Sequence, residues 1–275
     1  MSRGCGTLVN CVPGTGFPAV SVTGGKCNLM CAHCRGKHLK GMLPACSPEE
    51  LEKTGRAVAA SGGKGILISG GSDHSGRVPL RKYYGTIGTI SGLGLSVNVH
   101  PGIIGREDAE ELVNAGVSDF SVDVHCDRET VKNVFGLEPE SYENTIDSIL
   151  DAGGIPTPHL TMGFGRKDFE ESSELISSKG LKRAVLLSAV PSEGTYFEGF
   201  VLPEGCTSEA VKTLKEYGIE TILGCMRDRR LRYIEREAIA AGVRRAANLS
   251  PETLTWAESE GFETKTEQSC CCTRS

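Results

Sequence analysis

The sequence predicts an α/β protein built as a (βα)8 TIM-type barrel, with an irregular N-terminal arm over residues 1–17, the barrel over 18–261 and a cysteine-rich tail over 262–275, all in one domain. Three observations lead there. Short apolar runs recur along the chain at Ala19–Val22, Gly65–Ser69, Leu95–Val99, Val117–Val124, Pro158–Met162, Arg183–Ser188, Glu220–Leu223 and Val243–Ala247. From the second run on, each follows a helix-ending glycine: Gly63, Gly94, Gly116, Gly154, Gly180, Gly218 and Gly242, with Gly261 closing a last helix. The length of 275 residues matches the roughly 250 that one such barrel needs, and no linker or shift in composition marks a second domain.

Residues 1–17 are rich in glycine, carry Cys5, Cys11 and Pro13, and show no clear period, so they read as an irregular arm. The first strand, Ala19–Val22, breaks into Thr23-Gly24-Gly25 and delivers the chain to a loop that carries Cys27, Cys31 and Cys34. Ser47-Pro48-Glu49-Glu50 is then a capping box with proline at the first helical position; Leu51 to Ser61 continues the helix and Gly62-Gly63 ends it. Ser250-Pro251-Glu252 starts the last helix in the same way. The weakest strand is Val243-Arg244-Arg245-Ala246.

Net charge is −5 with acids and bases interspersed, so no basic stripe exists to track nucleic-acid phosphates. No apolar run approaches the roughly 18 residues of a membrane span, and the N-terminus lacks an apolar leader segment. The expectation is a cytoplasmic protein with neither nucleic acid nor membrane as partner. Twelve cysteines without an export signal point to metal chemistry in a reducing compartment rather than to disulfides.

The C-x3-C-x2-C array of Cys27, Cys31 and Cys34 is close enough to hold one metal centre. A four-iron cubane held by three thiolates keeps one iron open for a substrate or cofactor. Zinc would ordinarily show a second pair of ligands at short spacing, which does not follow here. Three metal-free structural thiols would be a poor use of a loop rich in Gly and Lys.

This array after a first strand resembles the signature of the radical S-adenosylmethionine (SAM) superfamily. The resemblance implies a [4Fe–4S] cluster whose open iron chelates SAM, one-electron cleavage of its C–S bond to a 5′-deoxyadenosyl radical, and a full radical SAM barrel. It also implies cofactor contacts from His33, which stands where relatives often have an aromatic residue, and from Gly70 and Gly71 after the second strand. Ser72 replaces the acid usual there, with Asp73 one place later; Asn98 and Asp123, at the ends of the third and fourth strands, stand where relatives bind the ribose and carboxylate of SAM. His100, His125 and His159 are read as hydrogen-bonded wall residues.

Val190-Pro191-Ser192-Glu193-Gly194-Thr195 is similar to a turn of biotin synthase-like enzymes, and Gly224-Cys225-Met226-Arg227 follows the seventh strand. Arg227 is the candidate catalytic residue, set to hold a substrate carboxylate or a cluster edge, with a plain salt bridge as the other reading. The tail carries Cys270-Cys271-Cys272, and residues 262–269 span roughly 26 Å at about 3.3 Å each, enough to return to the barrel mouth near Cys225. Cys225 and at least one of Cys270, Cys271 and Cys272, with Cys5 or Cys11 as further candidates, therefore offer a second iron–sulfur cluster.

Across most of its length the chain resembles the biotin and lipoyl synthase-like branch, nearest to the archaeal-type two-protein lipoyl synthases. That resemblance implies sulfur insertion into an octanoyl chain, an octanoylated lipoyl carrier protein and a sister radical SAM subunit as partners, and a reductant of ferredoxin or flavodoxin type. The one-chain lipoyl synthase pattern is only partly echoed, by Cys5-x5-Cys11 near the start, and Thr273-Arg274-Ser275 does not reproduce its serine-containing end. Other barrel enzymes of the branch, a mutase, a lyase or biotin synthase, and a non-catalytic iron–sulfur protein remain as alternatives.

Overall fold

A computed structural model describes residues 6–273. Cys5, one of the expected thiol ligands, lies outside the described residues. The strands are β1 Thr7–Cys11, β2 Ala19–Ser21, β3 Leu43–Pro44, β4 Gly65–Ser69, β5 Ser96–Val99, β6 Asp119–Asp123, β7 Pro156–Met162, β8 Arg183–Ser188, β9 Glu220–Leu223, β10 Arg245–Ala247 and β11 Glu263–Glu267. All eight expected strands are among them. The helices are α1 Pro48–Ala60, α2 Tyr84–Gly92, α3 Arg106–Asn114, α4 Arg128–Thr130 (continued by a π turn, Val131–Phe135), α5 Glu140–Asp151, α6 Arg166–Ser178, α7 Cys206–Glu216, α8 Arg232–Ala241 and α9 Pro251–Ser259.

The strands join one parallel sheet in the order β11-β1-β10-β9-β8-β7-β6-β5-β4-β2-β3. Its ladder has edges at β3 and β11, so the expected ring is realised as a curled sheet, a half-barrel, that hydrogen bonds among the described residues do not close. The curl follows from one contact. β11 and β5 stand seven places apart, roughly 34 Å across a flat sheet at about 4.8 Å per strand. Yet Asn98 on β5 donates to the Cys270 sulfur at 3.6 Å, only three residues beyond the end of β11.

The N-terminal arm differs from expectation. Thr7–Cys11 is a strand, paired in parallel with β10 on one side and β11 on the other. Its flanking glycines hide the period in the sequence, and its partners lie more than 230 residues away, where no local signal reaches. The same pairing turns the extended tail into β11. Two of the helix-ending glycines also shift by one: the left-handed residues are Gly62 (φ 75°) and Gly153 (φ 78°). Gly63 and Gly154 instead give room to neighbours, because a Cβ on Gly63 would fall 2.4 Å from Val58 and one on Gly154 2.9 Å from Phe120.

Helix starts are encoded locally. Ser47 accepts from the Glu50 N–H at 3.3 Å while the Glu50 carboxylate reaches back to the Cys46 N–H at 2.6 Å; Ser250 caps α9 through the Thr253 N–H at 3.2 Å. The main core lies between sheet and helices and includes Leu8, Val20, Ile66, Ile68, Val97 and Phe120. A second, smaller apolar cluster fills the inside of the curl, where Cys11, Val185, Leu187, Ile222 and Ala247 meet Cys271 and Cys272. Among the described residues, no helix is long and apolar enough to cross a membrane.

If β1 belongs to the folded core, Leu8→Ala, at a fully buried position, should cost about 2–5 kcal/mol in urea unfolding. Leu43→Ala on the 51% exposed edge strand should stay within about 0.5 kcal/mol. Equal, small losses at both positions would remove β1 from the core.

Candidate cofactor site

The loop after β2 is held by backbone bonds from three other segments. The Ser72 carbonyl, beyond β4, accepts from the N–H groups of Asn28 (2.8 Å) and Leu29 (3.2 Å), with the Cys27 sulfur 3.9 Å away. Ala32 donates to the Val134 carbonyl at 2.8 Å, and its own carbonyl accepts from Tyr196 at 3.0 Å. Lys37 also reaches the Glu193 carbonyl. Met30 and Arg35 take left-handed φ values of 51° and 46°, which bends the loop that carries the three half-buried cysteines.

The Cys34 thiol is poised to lose its proton. The hydrogen bond from Cys31, with smaller help from His33, brings the Cys34 thiol down to about 4 against the opposing effect of burial. The same bond, then burial, pushes Cys31 up. An easily formed thiolate among three half-buried sulfurs is the donor chemistry an iron cluster takes, and the residues fit that group. His33 packs between Phe135 (5.3 Å between ring centres) and Phe164 (5.4 Å), and its buried Nδ1 has no hydrogen-bond partner among the described residues.

The residues expected to touch SAM divide. Gly71 donates its N–H to Thr23 Oγ1 at 2.7 Å, and a Cβ on it would fall 2.0 Å from the Lys26 carbonyl oxygen and 2.6 Å from Cys27 Cα. Its missing side chain thus makes room for the cysteine loop itself. A Cβ on Gly70 would meet Thr23 Oγ1 at 3.1 Å. Asp73 closes a turn, its Oδ1 accepting from the N–H groups of Ser75 (2.9 Å) and Arg77 (3.0 Å). Asn98 is 1% exposed and engaged on both sides, accepting from Ser121 Oγ at 3.0 Å and donating to Cys270.

Asp123 stays open to the mouth. Its side chain is 42% exposed and meets His100 Nε2 at 3.3 Å, while His100 stacks on His159 at 5.6 Å. The surrounding protein acts to raise the Asp123 pKa, but His100, then His159 and His125, outweigh it and hold the carboxyl well below its usual range. Burial acts to lower His100, and Asp123 more than compensates, so the imidazole is raised. His159, buried and next to the His100 cation, falls to about 4.

Arg227 makes the salt bridge that was its other reading. It is 3% exposed and its donors go to Glu235 (2.7 Å from Nη2), the Gly224 carbonyl (2.5 Å) and the Asn248 carbonyl (3.1 Å). Glu235 in turn accepts from the N–H and hydroxyl of Ser250. A guanidinium so committed, with four of its five N–H donors taken, ties the β9 loop to α8 and α9. Beside it, a cleft of about 460 Å³ separates Pro191–Glu193 from Arg227–Arg230.

The remaining expected thiols gather inside the curl. Cys11 is buried against Cys271 and Cys272, with Cys270 at the margin. Hydrogen bonds from Cys271 and Cys272 pull Cys270 well below the usual thiol range, and the shared bonds push those two up. Cys225 is exposed on the concave wall, where surrounding atoms first and Cys270 second raise its thiol. His159 joins this group, its Nε2 lying 3.7 Å from the Cys272 sulfur. The signal for it in the sequence was the alternation of Thr157, His159 and Thr161 along β7, whose seven residues are all buried.

The sequence matches the Radical SAM superfamily over residues 21–177, more than half of the chain, including the whole cysteine loop. The chain belongs to the radical SAM superfamily. The cofactors of radical SAM proteins are a [4Fe–4S] cluster and SAM. Among solved structures, it is similar to methylornithine synthase (PylB), with a TM-score of 0.67 and 14% identity over 97% of this chain and 86% of that one. It is also similar to the FeFe-hydrogenase maturase HydG from Carboxydothermus hydrogenoformans (0.66, 15%, covering 96% and 70%) and to SuiB of Streptococcus suis bound to S-adenosylmethionine (0.57, 11%, covering 91% and 50%). At these identities the likeness is one of fold. No curated protein sequence matches the chain.

Two outcomes follow from this geometry. Gly71→Ala should displace the cysteine loop and lower the iron bound per chain after anaerobic reconstitution; full iron loading would return the glycine to a role in an ordinary turn. Asp123→Asn should leave burial of His100 unopposed, so its pKa should fall from above to below about 6.5. An NMR titration of the imidazole checks this, and an unchanged value would show that Asp123 does not face His100.

Proposed function

We propose that this radical SAM enzyme directs its radical at a small polar substrate held at the mouth of the curled sheet. The observation that carries this is the half-open His100–Asp123 pair, an ionised carboxylate and an imidazole at the carboxyl ends of β5 and β6. Such a pair recognises an ammonium, hydroxyl or amide group of a substrate or of SAM itself. Cys27, Cys31 and Cys34 would hold the [4Fe–4S] cluster, which when bound passes one electron to SAM and yields the 5′-deoxyadenosyl radical. The Ser72 carbonyl and Gly71 fix the loop that carries these thiols, and His33 between Phe135 and Phe164 gives that loop an apolar wall. The tail closes the inside of the sheet beneath, which keeps water from the reacting groups. An electron donor of ferredoxin or flavodoxin type is the partner this chemistry requires.

A second reading is sulfur insertion into an octanoyl chain on a lipoyl carrier protein, with a sister radical SAM subunit. The convergence of Cys11, Cys225 and Cys270–Cys272 favours it, since an auxiliary cluster there would supply the sulfur.

Replacing Cys27, Cys31 and Cys34 together by Ala should abolish 5′-deoxyadenosine formation with dithionite as reductant and leave circular dichroism unchanged. A folded triple variant that still cleaves SAM would overturn the proposal. Truncation after Ser269 separates the two readings: on the first, iron content is preserved; on the second, iron falls and sulfur transfer to an octanoylated peptide stops.

A further inference from the structure

We infer that Cys270, Cys271, Cys272 and His159 form a four-donor site for one thiophilic divalent ion of the zinc type, inside the curled sheet and separate from the loop of Cys27, Cys31 and Cys34. The three tail sulfurs all lie within 4.8 Å of one another. Cys271 and Cys272 are 3.9 Å apart, and His159 Nε2 is 3.7 Å from Cys272. Tetrahedral coordination at about 2.3 Å to sulfur and about 2.05 Å to nitrogen sets donor separations of about 3.8 Å for S···S and about 3.6 Å for S···N. The Cys271–Cys272 and Cys272–His159 separations are those of ligands on a single ion; His159 stands outside the group that the three sulfurs form, so the imidazole closes on Cys270 and Cys271 when the ion binds.

The imidazole is already in the ligating tautomer. His159 Nδ1 lies 3.0 Å from the Thr157 carbonyl oxygen, which can only accept, so Nδ1 carries the proton and Nε2 presents its lone pair to the tail. An outer set of donors surrounds the sulfurs: Asn98 Nδ2 to Cys270 at 3.6 Å and Ser121 Oγ to Cys272 at 3.8 Å. Arg245 holds the tail in place, donating from Nε to the Cys271 carbonyl at 3.1 Å and pairing with Glu267 at 3.1 Å. Cys271, Cys272 and His159 are at least nine-tenths buried. Each thiol that is still protonated releases its proton to solvent when the ion binds, so three thiolates and a neutral imidazole leave the centre with one net negative charge beside the Arg245 cation.

The ion would pin the tail across the interior and serve structure, which accords with the small-substrate reading; it does not depend on SAM cleavage. The test uses the full chain, purified without oxygen, loaded with iron and sulfide and then offered zinc. Elemental analysis should find one zinc per chain beside four irons, and zinc-edge X-ray absorption should show three sulfurs and one nitrogen. Cys271→Ser with Cys272→Ser, or His159→Ala alone, should lose the zinc and keep the four irons. Ser121→Ala should weaken zinc binding about ten-fold. A wild-type chain that takes up no zinc, or an absorption spectrum without nitrogen, overturns the inference and needs no variant to fold. Extra iron and acid-labile sulfide that vanish with the tail cysteines also overturn it, in favour of an auxiliary cluster. Failure of the SAM reading would appear separately, as absent 5′-deoxyadenosine from a zinc-replete protein.

Discussion

Every ladder in this sheet is parallel, so every strand delivers its carboxyl end to the same rim. That constraint gathers the cysteine loop after β2, the glycine turn after β4, His100 and Asp123 after β5 and β6, and the loops after β8 and β9. Curling then brings the first and last strands within reach of the middle ones. A parallel sheet of this kind needs cover on both faces, and here helices cover the outside while the tail covers part of the inside. The tail is therefore a packing element as much as a set of ligands.

Much of this was legible in the sequence because its signals are local. Strand runs, helix-ending glycines and the Ser47 and Ser250 caps each depend on a few adjacent residues. The C-x3-C-x2-C array is local as well. What escaped depends on distant partners. Thr7–Cys11 becomes a strand only because β10 and β11 arrive on either side, and the interior face that Asn98, Ser121 and His159 share exists only once β5, β6 and β7 stand together.

Arg227 shows the same limit from the other side. Beside Cys225 in a mouth loop, an arginine suits a substrate anion, and the sequence alone does not choose between that and the acids a few residues on. Glu235 lies eight residues on in the first turn of α8, 2% exposed, and takes the charge. A buried pair of this kind loses about 3–5 kcal/mol when one member is removed, so loss of activity in an Arg227 variant would report on folding before it reported on catalysis. Gly71 is the mirror case. Its small size was tied to the cofactor, and the backbone it accommodates is that of Lys26 and Cys27.

Six of the twelve cysteines thus form two groups with different physical chemistry. Those of the loop are half-buried, held by backbone bonds from three other segments and separated by three and two residues along a bent chain. Those of the tail are consecutive and compact, with Cys271 and Cys272 buried and an imidazole of fixed tautomer facing them. A thiolate facing the mouth can exchange protons and ligands with solvent, whereas one enclosed between Val185, Leu187 and Ile222 cannot do so without opening the sheet. Chemistry that consumes its sulfur at each turnover would require such an opening in every cycle. The enclosure of Cys271 and Cys272 therefore weighs toward a permanent structural ligand set, and it assigns the renewable chemistry to the loop.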